Sequence, residues 1–157
     1  MTSRTRLATA MSVALGCCAG AAAIAKPPAD GDQTSKERLV EVALRHAVPL
    51  ECVKMPCLLA IEGKPPAEGL IQALEPLGNV RAATSDDLVF EDGAARGFLR
   101  HRAQVVDVRE VTRTDGGEAQ VRVAFLTSAV GSTTCSYRLR RVSGRWTVNA
   151  KETTCTF

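Results

Sequence analysis

Aromatic residues are scarce in this chain: four phenylalanines, one tyrosine and one tryptophan among 157 residues. So few rings exclude a stacking platform for carbohydrate or single-stranded nucleic acid, which needs successive aromatic faces. Histidine is rarer still, with His46 and His101 far apart. A zinc site wants four closely placed thiolate or imidazole ligands, often with C-x2-C spacing. The nearest cysteines here, Cys52 and Cys57, are C-x4-C, so no metal is expected. A Gly-rich phosphate loop, a G-x-S-x-G elbow and an H-E-x-x-H pair are all missing, and with them the motif-borne case for a cofactor or a hydrolytic centre.

Long apolar stretches are missing too, except at the start. Arg4 and Arg6 are followed by small and apolar residues from Leu7 to Ala25, ending Ala23-Ile24-Ala25 before Lys26-Pro27-Pro28. A charged start, an apolar middle and a small-residue end make a secretory signal peptide, with cleavage expected between Ala25 and Lys26. An uncleaved anchor is the competing reading, but Ala, Gly, Ser, Thr and Cys leave much of the stretch only weakly apolar. Ala14-Leu15-Gly16-Cys17 resembles the lipobox of bacterial lipoproteins, although Ala14 stands where that motif wants Leu, Val or Ile. A membrane association is expected only if Cys17 is lipidated. The expected location is therefore periplasmic or secreted, with a lipid-anchored envelope protein as the alternative. Residues 1–25 are the signal, 26–33 a Pro-, Gly- and Asp-rich linker, and 34–157 a single domain.

Charge of one sign is lacking as well. Without residues 1–25 the chain keeps 18 basic and 17 acidic residues, which gives bulk attraction neither to nucleic acid nor to a charged membrane. The halves differ: 26–93 carries 7 basic and 12 acidic residues, 94–157 carries 11 and 5. Such runs usually mark solvated faces. Four cysteines remain, Cys52, Cys57, Cys135 and Cys155, an even count that in an exported chain reads as two disulfides. Three connectivities are possible. Cys52–Cys57 with Cys135–Cys155 is the expected one, since the first pair is close in sequence and the C-terminal tail is free to curl.

Thr34-Ser35-Lys36-Glu37 fits a capping box. Leu39, Val40, Ala43, Leu44 and Ala47 then recur at helical spacing until Pro49 stops the run, placing His46 in the last turn. Cys57 to Ile61 reads as a buried strand, Glu62 to Pro66 as a turn, and Ala67 to Glu75 as a short amphipathic helix. Strand-like segments follow at 80–83, 88–90, 104–112 and 118–127. Val121, Val123 and Phe125 alternate with Gln120 and Arg122 in the last of these. Thr133–Val142 and Arg145–Thr153 form a closing hairpin around Ser143-Gly144. In that register Arg141 opposes Trp146, Leu139 opposes Val148 and Tyr137 opposes Ala150, which gathers the apolar residues on one face. Cys155 then overshoots the position opposite Cys135 by three residues.

Ile61-Glu62-Gly63-Lys64-Pro65-Pro66, the helix with Leu70 and Leu74, and Val80-Arg81 make one half of a resemblance. Tyr137-Arg138-Leu139 with Gly144-Arg145-Trp146-Thr147-Val148 makes the other. Together, over roughly residues 57 to 150, they resemble a group of uncharacterised secreted bacterial domains, and more loosely the cystatin-like cone of nuclear-transport-factor-like proteins. The resemblance implies an α+β fold, two helices packed on a curved antiparallel sheet with a meander of about four to six strands. It implies no activity, because such folds host many unrelated functions.

Arg96, Arg100 and Arg102 flank His101 in the densest positive cluster. Arginine forks suit carboxylates and phosphates, which makes these three a candidate anion-binding group. If the segment is a strand, Arg100 and Arg102 share a face that His101 does not, and a solvated edge is the plainer reading. Asp86-Asp87 could supply a general base, but adjacent strand residues face opposite sides, and a turn or strand start is the plainer reading. With no paired catalytic groups, the expected function is a non-catalytic envelope or periplasmic interaction domain, its ligand, partners and oligomeric state unspecified. The alternative is a small cone-fold enzyme, an isomerase or hydrolase, with His101 or Asp107 as general base.

Overall fold

A computed structural model describes residues 36–114, 116–128 and 131–157. The expected signal, its Ala25–Lys26 cleavage site, the lipobox cysteine Cys17, the linker and the Thr34 cap lie outside these residues. Helix α1 (Lys36–Glu51) buries Leu39, Val40, Ala43, Leu44, Ala47 and Val48 along one stripe. It runs past Pro49, where the periodicity predicted a stop. Pro49 and Arg45 both face solvent, so water can take the carbonyl that the proline leaves unbonded. Beyond it, the Cys52 amide still donates to Val48 O at 2.9 Å.

Strand β1 (Cys57–Ile61), helix α2 (Glu68–Leu74) and strand β2 (Val80–Ala82) follow. A short hairpin, β3 (Phe90–Glu91) and β4 (Ala94–Ala95), leads into helix α3 (Arg96–His101). Four further strands of the main sheet come next: β5 (Gln104–Thr114), β6 (Glu118–Leu126), β7 (Thr133–Val142) and β8 (Arg145–Val148). A last strand, β9 (Thr154–Thr156), closes the chain. The fold is α+β, with helices packed on a curved sheet. The sheet order is β2-β1-β5-β6-β7-β8, with β9 also on β7. From β5 onward neighbours are antiparallel, while β1 runs parallel to both β2 and β5. A bulge between Val108 and Glu110 breaks the β5–β6 register; such a bulge bends its strand.

The two faces of the sheet are distinct because strand side chains alternate. Val106, Val108, Val121, Val123, Cys135, Tyr137, Leu139 and Trp146 point inward to α1 and α2 and form the main core. Leu58, Ala60, Val105, Ala124 and Leu126 point the other way, under Ala83, Ala95, Ala103, Leu88 and Phe98. This second layer explains why residues 96–101 are a helix and not the strand that the sequence also allows. Gly97 sits against the sheet, where a Cβ would come within 2.8 Å of Leu58 Cδ1, so α3 can lie flush on that face. Arg102 ends it in the left-handed region at φ 49°, its amide donating to Phe98 O at 2.9 Å. The strand expected at 88–90 is displaced to Phe90–Glu91 by a 3-10 turn at Asp86–Leu88.

The closing hairpin keeps the expected register, with Arg141 opposite Trp146 and Leu139 opposite Val148. It does not extend to Tyr137 and Ala150. The chain instead enters a 3-10 turn at Ala150–Glu152 and returns as β9, with Cys155 opposite Cys135. That turn takes up the three-residue overshoot, and the Cys135–Cys155 bond forms across directly facing strands, Cα atoms 4.1 Å apart. Cys52 and Cys57 form the other disulfide, joining the end of α1 to the start of β1. Both expected pairings are present. Two disulfides fit a non-cytoplasmic, oxidising compartment. Among the described residues no helix is long and apolar enough to cross a membrane.

Candidate functional site

A cavity of about 620 Å³ opens between the first two turns of α1, the turn after β1 and helix α2. Its position follows from local sequence. Glu62 and Gly63 both have positive φ, 52° and 72°, and reverse the chain so that Ile61 pairs back to Lys64. Pro65-Pro66 then holds the chain extended until α2 begins, which keeps α2 apart from the start of α1. Val40, Ile61, Pro66, Leu70 and Ala73 give an apolar lining. Lys36, Glu37, Arg38 and Lys64 stand exposed around it. Lys36 pairs with Glu62, and Glu41 with Arg38 and Arg45. Burial pulls the Glu41 carboxyl up, but the two guanidinium groups outweigh it and hold it below the ordinary value. Sequence reading missed this cavity, because Ile61, Leu70 and Leu74 carry the periodicity of ordinary core. Its signal was the Gly-Lys-Pro-Pro turn.

Asp107 lies elsewhere, on the outer face of β5 between Ala60 and Ala124. It is 1% exposed. Its Oδ1 accepts from the Gly63 amide at 3.2 Å. Arg109 Nε is 2.8 Å from its Oδ2, yet that oxygen has no hydrogen bond among the described residues, so the contact is ionic and off the N–H axis. Asp107 thus pins the turn beside the cavity without reaching into it.

His101 is at the end of α3, its side chain 46% exposed, with Nε2 3.3 Å from Asp87 Oδ1. Asp87 is buried, and its Oδ2 accepts from both the Thr84 amide and hydroxyl at 2.8 Å. Burial raises its pKa, and the Thr84 bonds together with His101 more than reverse this, leaving it below the ordinary value. A carboxylate so held can orient an imidazole for proton transfer. The sequence offers Asp86-Asp87 as a turn or strand start in preference to a general base, and gives no sign that Asp87 holds His101.

No protein-family model, curated protein or solved structure matches this chain. The remaining candidates are placed by geometry alone. Arg96 pairs with Asp86 and Glu91, and Arg100 with the same Asp86. Two of the three arginines considered for anion binding therefore already face carboxylates, and Arg102 stands apart at the left-handed end of α3. His46 packs edge-on against Tyr137, ring centroids 6.0 Å apart. Among the described residues no group of three or more His, Cys, Asp or Glu side chains could hold a metal ion.

Proposed function

We propose that the chain is an exported, non-catalytic binding module of the periplasm or envelope, and that its ligand site is the cavity between α1 and α2. The observation that carries this reading is the separation of the cavity from both candidate bases: neither His101 nor Asp107 is among its lining residues. Its volume falls in the range of small-molecule sites, which are mostly apolar with a few polar groups fixing orientation. Lys64 stands at its edge and has no ion-pair partner among the described residues. An amphiphile with an apolar body and an anionic head suits that combination. The resemblance to secreted bacterial domains and the two disulfides agree with export, with residues 1–25 removed.

Calorimetric titration of the mature chain with dodecanoate, below its micelle concentration, tests the site. Saturable binding is expected, abolished by Leu70→Asp and weakened several-fold by Lys64→Glu; no saturable heat sinks the reading. The N-terminal mass of protein from the envelope fraction tests export. Lys26 at the N-terminus is expected, and an intact Met1 or a lipidated Cys17 refutes the cleavage. The contact between His101 and Asp87 favours a second reading, a surface proton-transfer site on α3. An activity abolished by His101→Gln, and untouched by Leu70→Asp, would establish it instead.

A further inference from the structure

The two disulfides sit in opposite surroundings. Cys52 and Cys57 are each 1% exposed and belong to the main core. Cys135 is buried, but Cys155 is exposed, on a strand whose three residues all face solvent. From Asn149 to Phe157 no residue is buried, so burial of apolar surface, the dominant stabilising term in folding, hardly acts on this tail. Three strand pairs join it to β7: Thr134 with Thr156, Cys135 with Cys155 and Ser136 with Thr154. Glu152 adds ion pairs to Arg138 and Arg140, each at 2.9 Å, on side chains exposed enough for water to screen them. The covalent bond is the one strong attachment of this tail beyond the hairpin.

We infer that Cys135–Cys155 is a thiol-exchange site, opened at Cys155 by an external dithiol so that residues 150–157 detach while the rest of the domain, with the Asn149 amide still bonded to Arg138 O, stays folded. In the first step a thiolate of the dithiol attacks Cys155 Sγ, the accessible end. A new S–S bond forms, the Cys135–Cys155 bond breaks, and the electron pair leaves on Cys135 Sγ, which takes up a proton. The second thiol of the reagent, deprotonated, then displaces Cys155 and closes its own disulfide. The dithiol is oxidised by two electrons, the cystine is reduced by two, and two protons pass to the cysteines. Detachment takes Glu152 away from Arg138 and Arg140 and leaves the outer edge of β7 at residues 134–136 unpaired. None of this depends on the cavity between the helices.

The test is a graded dithiothreitol titration of the mature chain under non-denaturing conditions, with alkylation, peptide mapping and amide exchange at each point. Label is expected on Cys135 and Cys155 while Cys52 and Cys57 are still linked. Exchange over 152–157 should then rise to free-chain rates, with Tyr137, Leu139 and Trp146 keeping their protection. Cys155→Ser should show the same open tail without reductant. Reduction of Cys52–Cys57 first or simultaneously overturns the inference. So does a reduced chain whose residues 154–156 stay protected, or one that loses protection throughout.

Discussion

Replacing Gly97 by alanine sets two effects against each other. Helix propensity favours alanine over glycine by about 1 kcal/mol in a helix interior. Against this, the new Cβ would lie 2.8 Å from Leu58 Cδ1, 2.9 Å from Asp87 Cβ and 3.0 Å from Val105 Cγ2. The leucine methyl ends a flexible side chain and can turn aside. Asp87 Cβ cannot, because it is bonded directly to the backbone of a 3-10 turn that Thr84 holds at both nitrogen and hydroxyl. Val105 is β-branched, stiff at χ1 and fully buried in β5. Forcing a methyl into a packed site costs roughly 1–3 kcal/mol, so the net expectation is a loss on the order of 1–2 kcal/mol. Urea unfolding followed by the fluorescence of Trp146, the sole tryptophan, measures it. Val105→Ala in the Gly97→Ala background removes one of the two stiff contacts, so the double variant should be less destabilised than the sum of the singles. A Gly97→Ala protein as stable as the parent, or strictly additive costs, would refute the account of how α3 lies on the sheet.

The remaining predictions concern titration. Tyr137 is the only tyrosine, and burial, with a smaller contribution from Glu51, pushes its pKa up to about 12. Its tyrosinate absorbance should therefore stay absent at pH 10–11 in the folded protein and appear near the ordinary value of about 10 on unfolding. The stability it contributes is complete below the unfolded pKa and declines as pH rises toward 12; a native titration near 10 would contradict this. Asp87 has the opposite sign. Its folded pKa is depressed, so its contribution is present above the unfolded value of about 3.9 and is lost as pH falls below it. Asp87→Asn should flatten the acid limb of the stability profile, and an unchanged slope in urea midpoints between pH 4 and 2 would count against the Thr84 and His101 bonds.

Much of the fold was legible in the sequence because period and turn chemistry agreed locally. The stripe from Leu39 to Ala47, the alternation around Val123 and the Ser143-Gly144 hairpin all appear where those patterns place them. What escaped notice depended on contacts distant in sequence. The parallel placement of β1 between β2 and β5 leaves no mark on Cys57–Ile61 beyond apolarity, since a strand buried on both faces reads as an unbroken run. The helix at Arg96–His101 has few apolar residues and is held by the fit of Gly97 against Leu58 and Val105, which no window of residues 96–101 contains. The candidate site was less legible still. His101 was visible, but its partner Asp87 lies on the other side of the β3–β4 hairpin. The cavity needs Val40, Ile61 and Leu70 from three separate elements.

Strand β1 is hydrogen-bonded on both sides by strands that are synthesised after it. From β6 to β9 each strand pairs with one made shortly before it, so that half can assemble from nearby contacts as it emerges. The N-terminal half cannot. Cys57–Ile61 can pair with Val80–Ala82 first, but its other edge must wait until Gln104–Val108 exists. An apolar strand with one open edge in a growing or translocating chain is an aggregation hazard. The early part of this protein therefore depends on being shielded until its later part arrives, and residues 57–61 are the segment that a holding chaperone would have to cover.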